Sequence, residues 1–275
     1  MEIERKKIEV DGTEIAYREA GPESWVGTPV LLVHGFLVHS AAWSKVMPRL
    51  ADRFRVLAPD LPGFGGSGFL PGRAASFARF ASFLSRFCEV LGVERAHVVG
   101  HSMGGGIAIV ASSMYPNRFV RSVFMDAAAF PFKGPLKGRL PRIPIIGRII
   151  FTKIYGWSMF LDYFRDDVFH DPAKVDLDLV RDFYRAFDTP DRRDYMHRIL
   201  PAVTDAAEVE PHVPKVRQPC LVVWGAHDTL VPLAIGHRLA RELAQAQLEI
   251  VSNAGHEPHS ENLDETMGHL LEFLS

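Results

Sequence analysis

The feature that most constrains this chain is a serine framed by two glycines, in the segment 100–104 with the sequence GHSMG. A β-branched run at 96–99 precedes it, and small and apolar residues follow over 103–115 until Pro116. A strand that turns sharply into a helix at G-x-S-x-G exposes the serine hydroxyl on a strained turn, and the glycines leave room for the backbone on either side. The segment therefore predicts a nucleophile, Ser102, between a buried strand and a helix.

Two later apolar segments predict the partners of this serine. Segment 219–225 is typical of a buried strand and ends just before Asp228, and segment 248–251 ends just before His256. The carboxyl ends of parallel strands meet at one edge of a sheet, which is where open α/β sheets place their ligands. In the order serine, acid, histidine, His256 would act as the general base, and Asp228 would fix its tautomer and stabilise the imidazolium.

Three neighbouring residues have other expected roles. Asp126 follows the apolar run 122–125 and is the alternative acid of the triad. His227 and His259 lie close to the predicted acid and base in the sequence. We expect them to be loop residues, or to contact the triad residues without taking part in the reaction.

Acyl transfer also needs two N–H groups that point at the developing negative charge. One is expected from Met103, directly after the nucleophile. The other is expected from Phe36, because the strand 29–33 ends before it and Gly35 allows the backbone to approach closely. We expect His34, in the same loop, to make structural hydrogen bonds.

Together these segments resemble the α/β-hydrolase family over essentially all 275 residues. The resemblance rests on residues 34–36 (HGF), Trp43, 60–67 (DLPGFGGS), 100–104 (GHSMG), 225–228 (GAHD) and 255–256 (GH). It implies an α/β fold with a mostly parallel sheet flanked by helices, and a helical cap inserted after the sixth strand. It also implies that the family's nucleophile, acid and base are Ser102, Asp228 and His256. A serine at position 102 argues against the epoxide hydrolase and haloalkane dehalogenase branches, which use aspartate there.

Residues 63–68 match the dinucleotide pattern G-x-G-x-x-G. That pattern indicates a cofactor site only where a strand leads directly into a helix. Here Pro62 separates it from the strand 55–58, and the next helical pattern begins at about Ser76. We therefore expect a turn beside the active site and no cofactor.

Strand and helix patterns alternate over most of the chain, which is typical of a parallel sheet. The alternation breaks after Phe130, so we expect a core domain of residues 1–129 and 218–275 and a helical cap of residues 130–217. Twelve aromatic residues between Phe130 and Phe187 suggest that the cap contributes an apolar acyl pocket. The pocket candidates are Trp43, His101, Phe130, Trp157 and Phe160.

Composition excludes little but is consistent with this interpretation. The formal net charge of −2 gives no sign of nucleic-acid binding, and no cysteine spacing suggests a metal site. Cys88 and Cys220 lie in apolar patterns and are expected to be reduced, and residues 1–7 lack the apolar run of a secretory signal. We therefore expect a cytoplasmic enzyme with neither cofactor nor metal, whose oligomeric state is left open.

One segment of the predicted cap is basic and apolar. Residues 127–161 contain no acidic residue but six basic ones: Lys133, Lys137, Arg139, Arg142, Arg148 and Lys153. Isoleucines and leucines alternate with them. Such a segment can bind weakly to an anionic membrane surface, or it can form a solvated basic face of the cap.

The sequence thus predicts a carboxylic ester hydrolase that works through an acyl-enzyme, most similar to bacterial carboxylesterases and monoacylglycerol lipases. Carbon–carbon bond hydrolases of ring-cleavage products share the triad, but they usually carry a tryptophan directly after the catalytic histidine, where this chain has Glu257. A cofactor-free haloperoxidase would use the same residues, and a non-catalytic ligand-binding protein would share the same fold.

Overall fold

The computed structural model describes residues 2–22, 25–70, 72, 76–131 and 144–275. These residues form one sheet of eight strands in the order β1-β2-β4-β3-β5-β6-β7-β8. The strands are β1 (Glu4–Val10), β2 (Thr13–Ala20), β3 (Val30–Val33), β4 (Val56–Pro59), β5 (Ala96–His101), β6 (Phe119–Met125), β7 (Cys220–Gly225) and β8 (Ala246–Val251). Strand β2 is antiparallel to both β1 and β4, and all other neighbours are parallel. The predicted mostly parallel sheet is confirmed.

Ten α-helices lie within the described residues. They are α1 (Val46–Ala51), α2 (Phe77–Val90), α3 (Met103–Met114), α4 (Pro144–Ile149), α5 (Trp157–Asp162), α6 (Leu177–Phe187), α7 (Pro190–Asp205), α8 (Leu233–Glu242), α9 (Pro258–Glu261) and α10 (Leu263–Leu274). Shorter 3-10 or π turns occupy Ser40–Trp43, Ile150–Ile154, Tyr163–Val168, Pro172–Lys174 and Glu210–Lys215. Because helices connect the parallel strands, the sheet is covered on both faces.

The central strands are apolar on both sides, and each side packs into a different core. In β3, Leu31 and Val33 face the cluster that contains α2 and α3, whereas Val30 and Leu32 face the cluster that contains α1 and α10. This alternation follows from the two-residue period of a strand. The sheet therefore lies between two apolar layers, and its carboxyl edge is left for the loops that carry polar side chains.

Local signals in the sequence account for the ends of several elements. Helix α2 begins after Ser76, whose hydroxyl accepts the Arg79 N–H at 3.2 Å, and it is followed by Gly92 at a φ of 68°. The β1–β2 hairpin turns at Asp11 and Gly12, with φ angles of 48° and 78°, as a two-residue turn requires. Residues 63–68 form turns between β4 and α2, as expected.

Helices α4 to α7 all follow β6 and precede β7, where the cap was predicted. The boundaries proposed for the two domains stay a prediction. Four of the six basic residues of the cap segment, Lys133, Lys137, Arg139 and Arg142, lie outside the described residues. In the part of the chain that the structure describes, no helix is long and apolar enough to span a membrane. The two cysteines are buried and not paired.

Candidate active site

Ser102 occupies a strained turn between β5 and α3. Its φ and ψ angles are 54° and −117°, an unusual conformation for a residue with a side chain. The surrounding backbone holds it there. The Ser102 N–H donates to the Met125 carbonyl at 2.9 Å, and the Ser102 carbonyl accepts the Ala128 N–H at 3.0 Å and the Gly106 N–H at 3.1 Å. Strain of this kind persists only where neighbouring contacts enforce it, and it is common at catalytic residues.

The first turn of α3 packs directly against the end of β3. A Cβ built on Gly104 would lie 2.5 Å from the carbonyl oxygen of His34 and closer still to that of Val33. A side chain at position 104 would therefore push the two elements apart. The glycine two residues after the serine is needed for this close approach, which also brings the loop after β3 to the serine.

Three side chains from separate loops meet at the carboxyl edge of the sheet. The Nε2 atom of His256 lies 2.8 Å from the Ser102 Oγ, and its Nδ1 atom lies 2.7 Å from the Asp228 Oδ2. The other carboxylate oxygen of Asp228 accepts the N–H groups of Leu230 and Val231 at 2.8 and 2.9 Å. The structure thus brings the predicted nucleophile, base and acid into one hydrogen-bonded line, and the acid is held at both oxygens.

The charge of Asp228 controls the proton affinity of His256. Burial of the ring favours its neutral form, but the charge and hydrogen bond of Asp228 outweigh burial and raise the pKa of His256. Ser102 keeps part of its surface exposed, while His256 and Asp228 are buried. The serine is therefore the most exposed of the three side chains.

The two expected oxyanion donors flank the serine. Met103 is the first residue of α3, and the first N–H groups of a helix have no partner within it. A Cβ built on Gly35 would lie 3.3 Å from the Ser102 Cβ, so the loop that carries Phe36 passes beside the nucleophile. Among hydrogen bonds between described residues, neither the Phe36 nor the Met103 N–H has a backbone acceptor.

His34 holds that loop in place. One ring nitrogen accepts the Leu61 N–H at 2.9 Å and the other donates to the Gly35 carbonyl at 2.8 Å. Burial lowers the pKa of His34 to about 4, which keeps the ring neutral and able to accept. This is the structural role expected for His34.

His101 and Trp43, two of the pocket candidates, are buried in contacts between described residues, and their place in a pocket stays a prediction. The His101 Nε2 donates to the backbone carbonyl of His256 at 2.6 Å, and its ring is buried beneath the catalytic histidine. Trp43 is fully buried and packs on the His259 ring, with 4.6 Å between ring centroids. The rings of His101, Trp43 and His259 thus form a buried layer next to the catalytic histidine.

A buried carboxylate completes that layer. Glu257 follows the catalytic histidine, and its Oε2 lies 3.0 Å from the His259 Nε2 and its Oε1 4.0 Å from the His101 Nδ1. Burial by itself would raise the pKa of Glu257, but the neighbouring imidazoles lower it to about 2. The neighbouring imidazoles thus favour the ionised form of Glu257. The residue is visible in the sequence, but no local pattern identifies its partners.

The remaining pocket candidates also pack within the protein. Phe160 is fully buried among cap aromatics, with ring centroids 5.3 Å from Phe164 and 5.7 Å from Phe187. Phe130 is fully buried under the guanidinium of Arg238, at 3.8 Å from its centroid. In the part of the chain that the structure describes, both rings serve packing, and their role in a pocket stays a prediction.

Trp157 is half-buried at the cap surface. Its ring packs edge-on against Tyr184 with centroids 5.6 Å apart, and the Arg181 guanidinium covers it at 5.4 Å. These contacts belong to the packing of α5 on α6. The aromatic content of the sequence identified the core of the cap, but it did not show which aromatic side chains line a substrate pocket.

The cap contacts the loop that carries His256 through main-chain hydrogen bonds. The Val168 carbonyl accepts the His256 N–H at 2.8 Å. The carboxylate of Glu261 accepts the Gly255 N–H at 2.7 Å from the core, and the His170 N–H at 2.8 Å and Asp171 N–H at 3.1 Å from the cap. Glu261 was not predicted, since no local pattern distinguishes it from a surface glutamate.

Two clusters of three buried residues each place three potential metal-binding atoms within 4.8 Å of one another. One cluster is Asp126, Asp228 and His256, and the other is His101, Glu257 and His259. Two ligands of a tetrahedral ion lie about 3.3 Å apart. The Asp228–His256 contact of 2.7 Å and the Glu257–His259 contact of 3.0 Å are shorter. The spacing therefore fits direct imidazole–carboxylate contacts, and the Asp228–His256 contact is also a hydrogen bond.

Known proteins resemble this chain along most of its length. A family model described as the alpha/beta hydrolase fold matches residues 28–263. The chain is 28% identical over 276 residues to the uncharacterized hydrolase YugF of Bacillus subtilis, covering 98% of the chain and 97% of that protein. It is 27% identical over 243 residues to the 2-hydroxy-6-oxo-2,4-heptadienoate hydrolase of Pseudomonas putida, covering 84% and 83%. A solved meta-cleavage product hydrolase from Pseudomonas fluorescens IP01 has a TM-score of 0.84 at 26% identity, covering 98% and 97%.

Proposed function

The chain belongs to the alpha/beta hydrolase fold family and is a hydrolase, and on that premise we propose that it cleaves carboxylic esters with an apolar acyl chain. The observation that carries the proposal is the line from Asp228 through His256 to the Ser102 hydroxyl, with contacts of 2.7 and 2.8 Å. A serine in this setting is a nucleophile for acyl transfer.

The reaction would proceed in two halves. The Ser102 Oγ attacks the ester carbonyl carbon while the His256 Nε2 takes its proton, and the Phe36 and Met103 N–H groups bind the oxyanion. His256 then gives that proton to the departing alcohol oxygen, which leaves an acyl-enzyme. A water molecule, deprotonated by His256, attacks the acyl carbonyl, and the carboxylic acid leaves as Ser102 recovers its proton.

The charges around the site favour an uncharged substrate. Asp228 and Glu257 are buried carboxylates at the base of the site, and a substrate anion placed near them would be repelled. Two arginines of the cap form hydrogen bonds within the protein. Arg192 donates to the Gly63 and Ser67 carbonyls at 2.8 and 3.0 Å, and Arg193 donates to Asp188 at 2.7 Å. A neutral ester needs no such cation.

A second candidate is hydrolysis of a carbon–carbon bond in an oxo-dienoate. It is favoured by the similarity to the Pseudomonas putida hydrolase that is named for 2-hydroxy-6-oxo-2,4-heptadienoate. The same nucleophile, base and oxyanion donors can serve that cleavage. Its substrate carries a carboxylate, so this candidate requires a cation that the contacts of Arg192 and Arg193 do not offer.

The test is a panel of p-nitrophenyl esters from C2 to C16, with a fluorophosphonate that labels activated serines. We expect turnover and labelling by the native chain, and a loss of turnover of about 10⁴-fold or more in Ser102→Ala, as is typical when a triad nucleophile is removed. Ser113→Ala, on the helix that follows the nucleophile, is the matched control and should retain both. A native chain that hydrolyses no ester and takes no label would refute the proposal.

The same preparations distinguish the two candidates. Loss of 2-hydroxy-6-oxo-2,4-heptadienoate absorbance is measured beside ester turnover at matched concentrations. The ester proposal predicts that kcat/KM for the best ester exceeds that for the dienoate. The reverse order, abolished by Ser102→Ala, would make the chain a carbon–carbon bond hydrolase.

A further inference from the structure

A second aspartate lies beside the proposed triad, and the mechanism above leaves it unused. Asp126 follows β6 with a φ of 44°, and its N–H donates to the Val223 carbonyl at 3.0 Å. Its Oδ1 accepts the Gly225 N–H at 2.9 Å. Because β6 lies between β5 and β7, the side chain is placed between the strand that leads to Ser102 and the strand that leads to Asp228.

The carboxyl group of Asp126 lies close to the triad and is only partly hydrogen-bonded within the described part of the chain. The residue is fully buried, and its Oδ2 has no hydrogen-bond partner among the described residues. Carboxyl oxygens of Asp126 and Asp228 and a ring nitrogen of His256 all lie within 4.8 Å of one another. Two adjacent carboxyl groups that are both ionised would repel each other strongly in such a site.

The contacts of the two residues decide which of them carries the negative charge. Asp228 accepts hydrogen bonds from Leu230, Val231 and His256, and all three stabilise an ionised carboxylate. Among the residues that the structure describes, the Gly225 N–H is the only donor to the Asp126 carboxyl group. Burial first, and then the charge of Asp228, raise the pKa of Asp126 well above its usual range, and Glu257 adds to the effect.

We propose that Asp126 is a positioning residue that remains protonated at neutral pH and donates its carboxyl proton in a hydrogen bond to the Asp228 carboxylate. The role rests on the proposed function, because it acts through the triad. The bond supplies Asp228 with a further donor and gives the unpaired Oδ2 a partner. It keeps the carboxylate oriented toward His256 and spreads its charge over two residues. The series of hydrogen bonds then runs from Asp126 through Asp228 and His256 to Ser102.

Two substitutions separate this role from a merely structural one. Asp126→Ala removes the donor, and we expect fluorophosphonate labelling of Ser102 to slow by about tenfold. Asp126→Asn restores an N–H donor toward Asp228 while its oxygen still accepts the Gly225 N–H, so it should recover most of the lost rate. Thermal unfolding of both variants checks that they are folded.

The titration of the His256 ring, followed by NMR, is the second readout and needs no turnover. If Asp126 is neutral, Asp126→Asn leaves the midpoint of His256 where it is in the native chain. If Asp126 is ionised, the substitution removes a negative charge beside the ring, and the midpoint falls by about one pH unit or more. A fall of that size overturns the proposal.

Two labelling results would also overturn it. Labelling of Asp126→Ala at the native rate removes the positioning role. A loss in Asp126→Asn as large as that in Asp228→Asn makes Asp126 itself the acid. A native chain without any labelling or ester turnover refutes the ester hydrolysis proposed above, whereas the NMR titration still decides whether Asp126 is neutral.

Discussion

Replacing Gly104 by alanine tests whether the close approach of α3 to β3 builds the oxyanion site. In a helix, glycine-to-alanine normally stabilises by up to about 1 kcal/mol. Here the added Cβ would lie 2.5 Å from the His34 carbonyl oxygen and closer still to that of Val33. Both are backbone atoms that cannot rotate away, so the elements must separate by about 0.5–1 Å, and overpacking of this kind costs about 1–3 kcal/mol.

We therefore expect Gly104→Ala to lower the free energy of unfolding by about 2 kcal/mol in urea titrations, or the Tm by about 5 °C. The displaced backbone leads directly into Gly35 and Phe36, so the oxyanion donor moves with it. A misplacement of about 1 Å can cost about 100-fold in rate. We expect kcat on the best p-nitrophenyl ester to fall by about 10- to 100-fold, a larger change than in KM.

Gly268 provides the matched control. It lies in helix α10, is exposed, and a Cβ built there meets nothing within 4 Å. Gly268→Ala should stabilise the protein by about 0.5–1 kcal/mol and leave ester turnover unchanged. A Gly104→Ala variant as stable and active as the native chain would refute the argument from close packing, as would equal damage from Gly268→Ala.

Two further predictions concern pH and membranes. Because Asp228 raises the pKa of His256, and only the neutral ring accepts the serine proton, kcat/KM should rise with pH on a limb centred above about 6.5. In Asp228→Asn the limb should move to lower pH, because the largest contributions that raise the pKa of His256 are then lost while burial still lowers it; a limb that does not move contradicts the assignment. The cap segment 133–153, which we propose contacts anionic membranes weakly, ends in Arg148 and Lys153 beside the exposed Ile149 and Ile154. Each basic residue contributes about 1 kcal/mol, so Arg148→Gln with Lys153→Gln should reduce sedimentation with anionic vesicles at low salt, and Arg53→Gln with Arg95→Gln should not. A native chain that stays in the supernatant ends this proposal.

Local patterns determined the elements on which the site stands. The apolar and small residues around Ser102 were enough to predict β5, the turn and α3, because each depends on near neighbours in the chain. The same holds for the Asp-Gly hairpin and for the strands before Asp228 and His256. Chain order then predicted that these loops share one edge of the sheet, because parallel strands all end on the same side.

Local patterns did not predict which side chains touch. An aromatic residue has the same signature in a core as in a pocket lining, so the sequence did not show that Phe130 and Phe160 are fully buried in packing contacts. His101 ends β5 directly before the serine, and Trp43 lies in the 3-10 turn after β3, yet His101 packs against His256 and Trp43 against His259.

Tertiary structure alone decided how the charges of the site are arranged. Asp126 and Asp228 are far apart in sequence, and Glu261 joins the cap to the loop of His256 by hydrogen bonds to main-chain N–H groups. Such contacts depend on how strands and loops pack in three dimensions, and burial then sets the proton affinity of each carboxyl group. The sequence by itself therefore determined which residues could do the chemistry, and only the packed structure decided which carboxyl group holds a charge and which holds a proton.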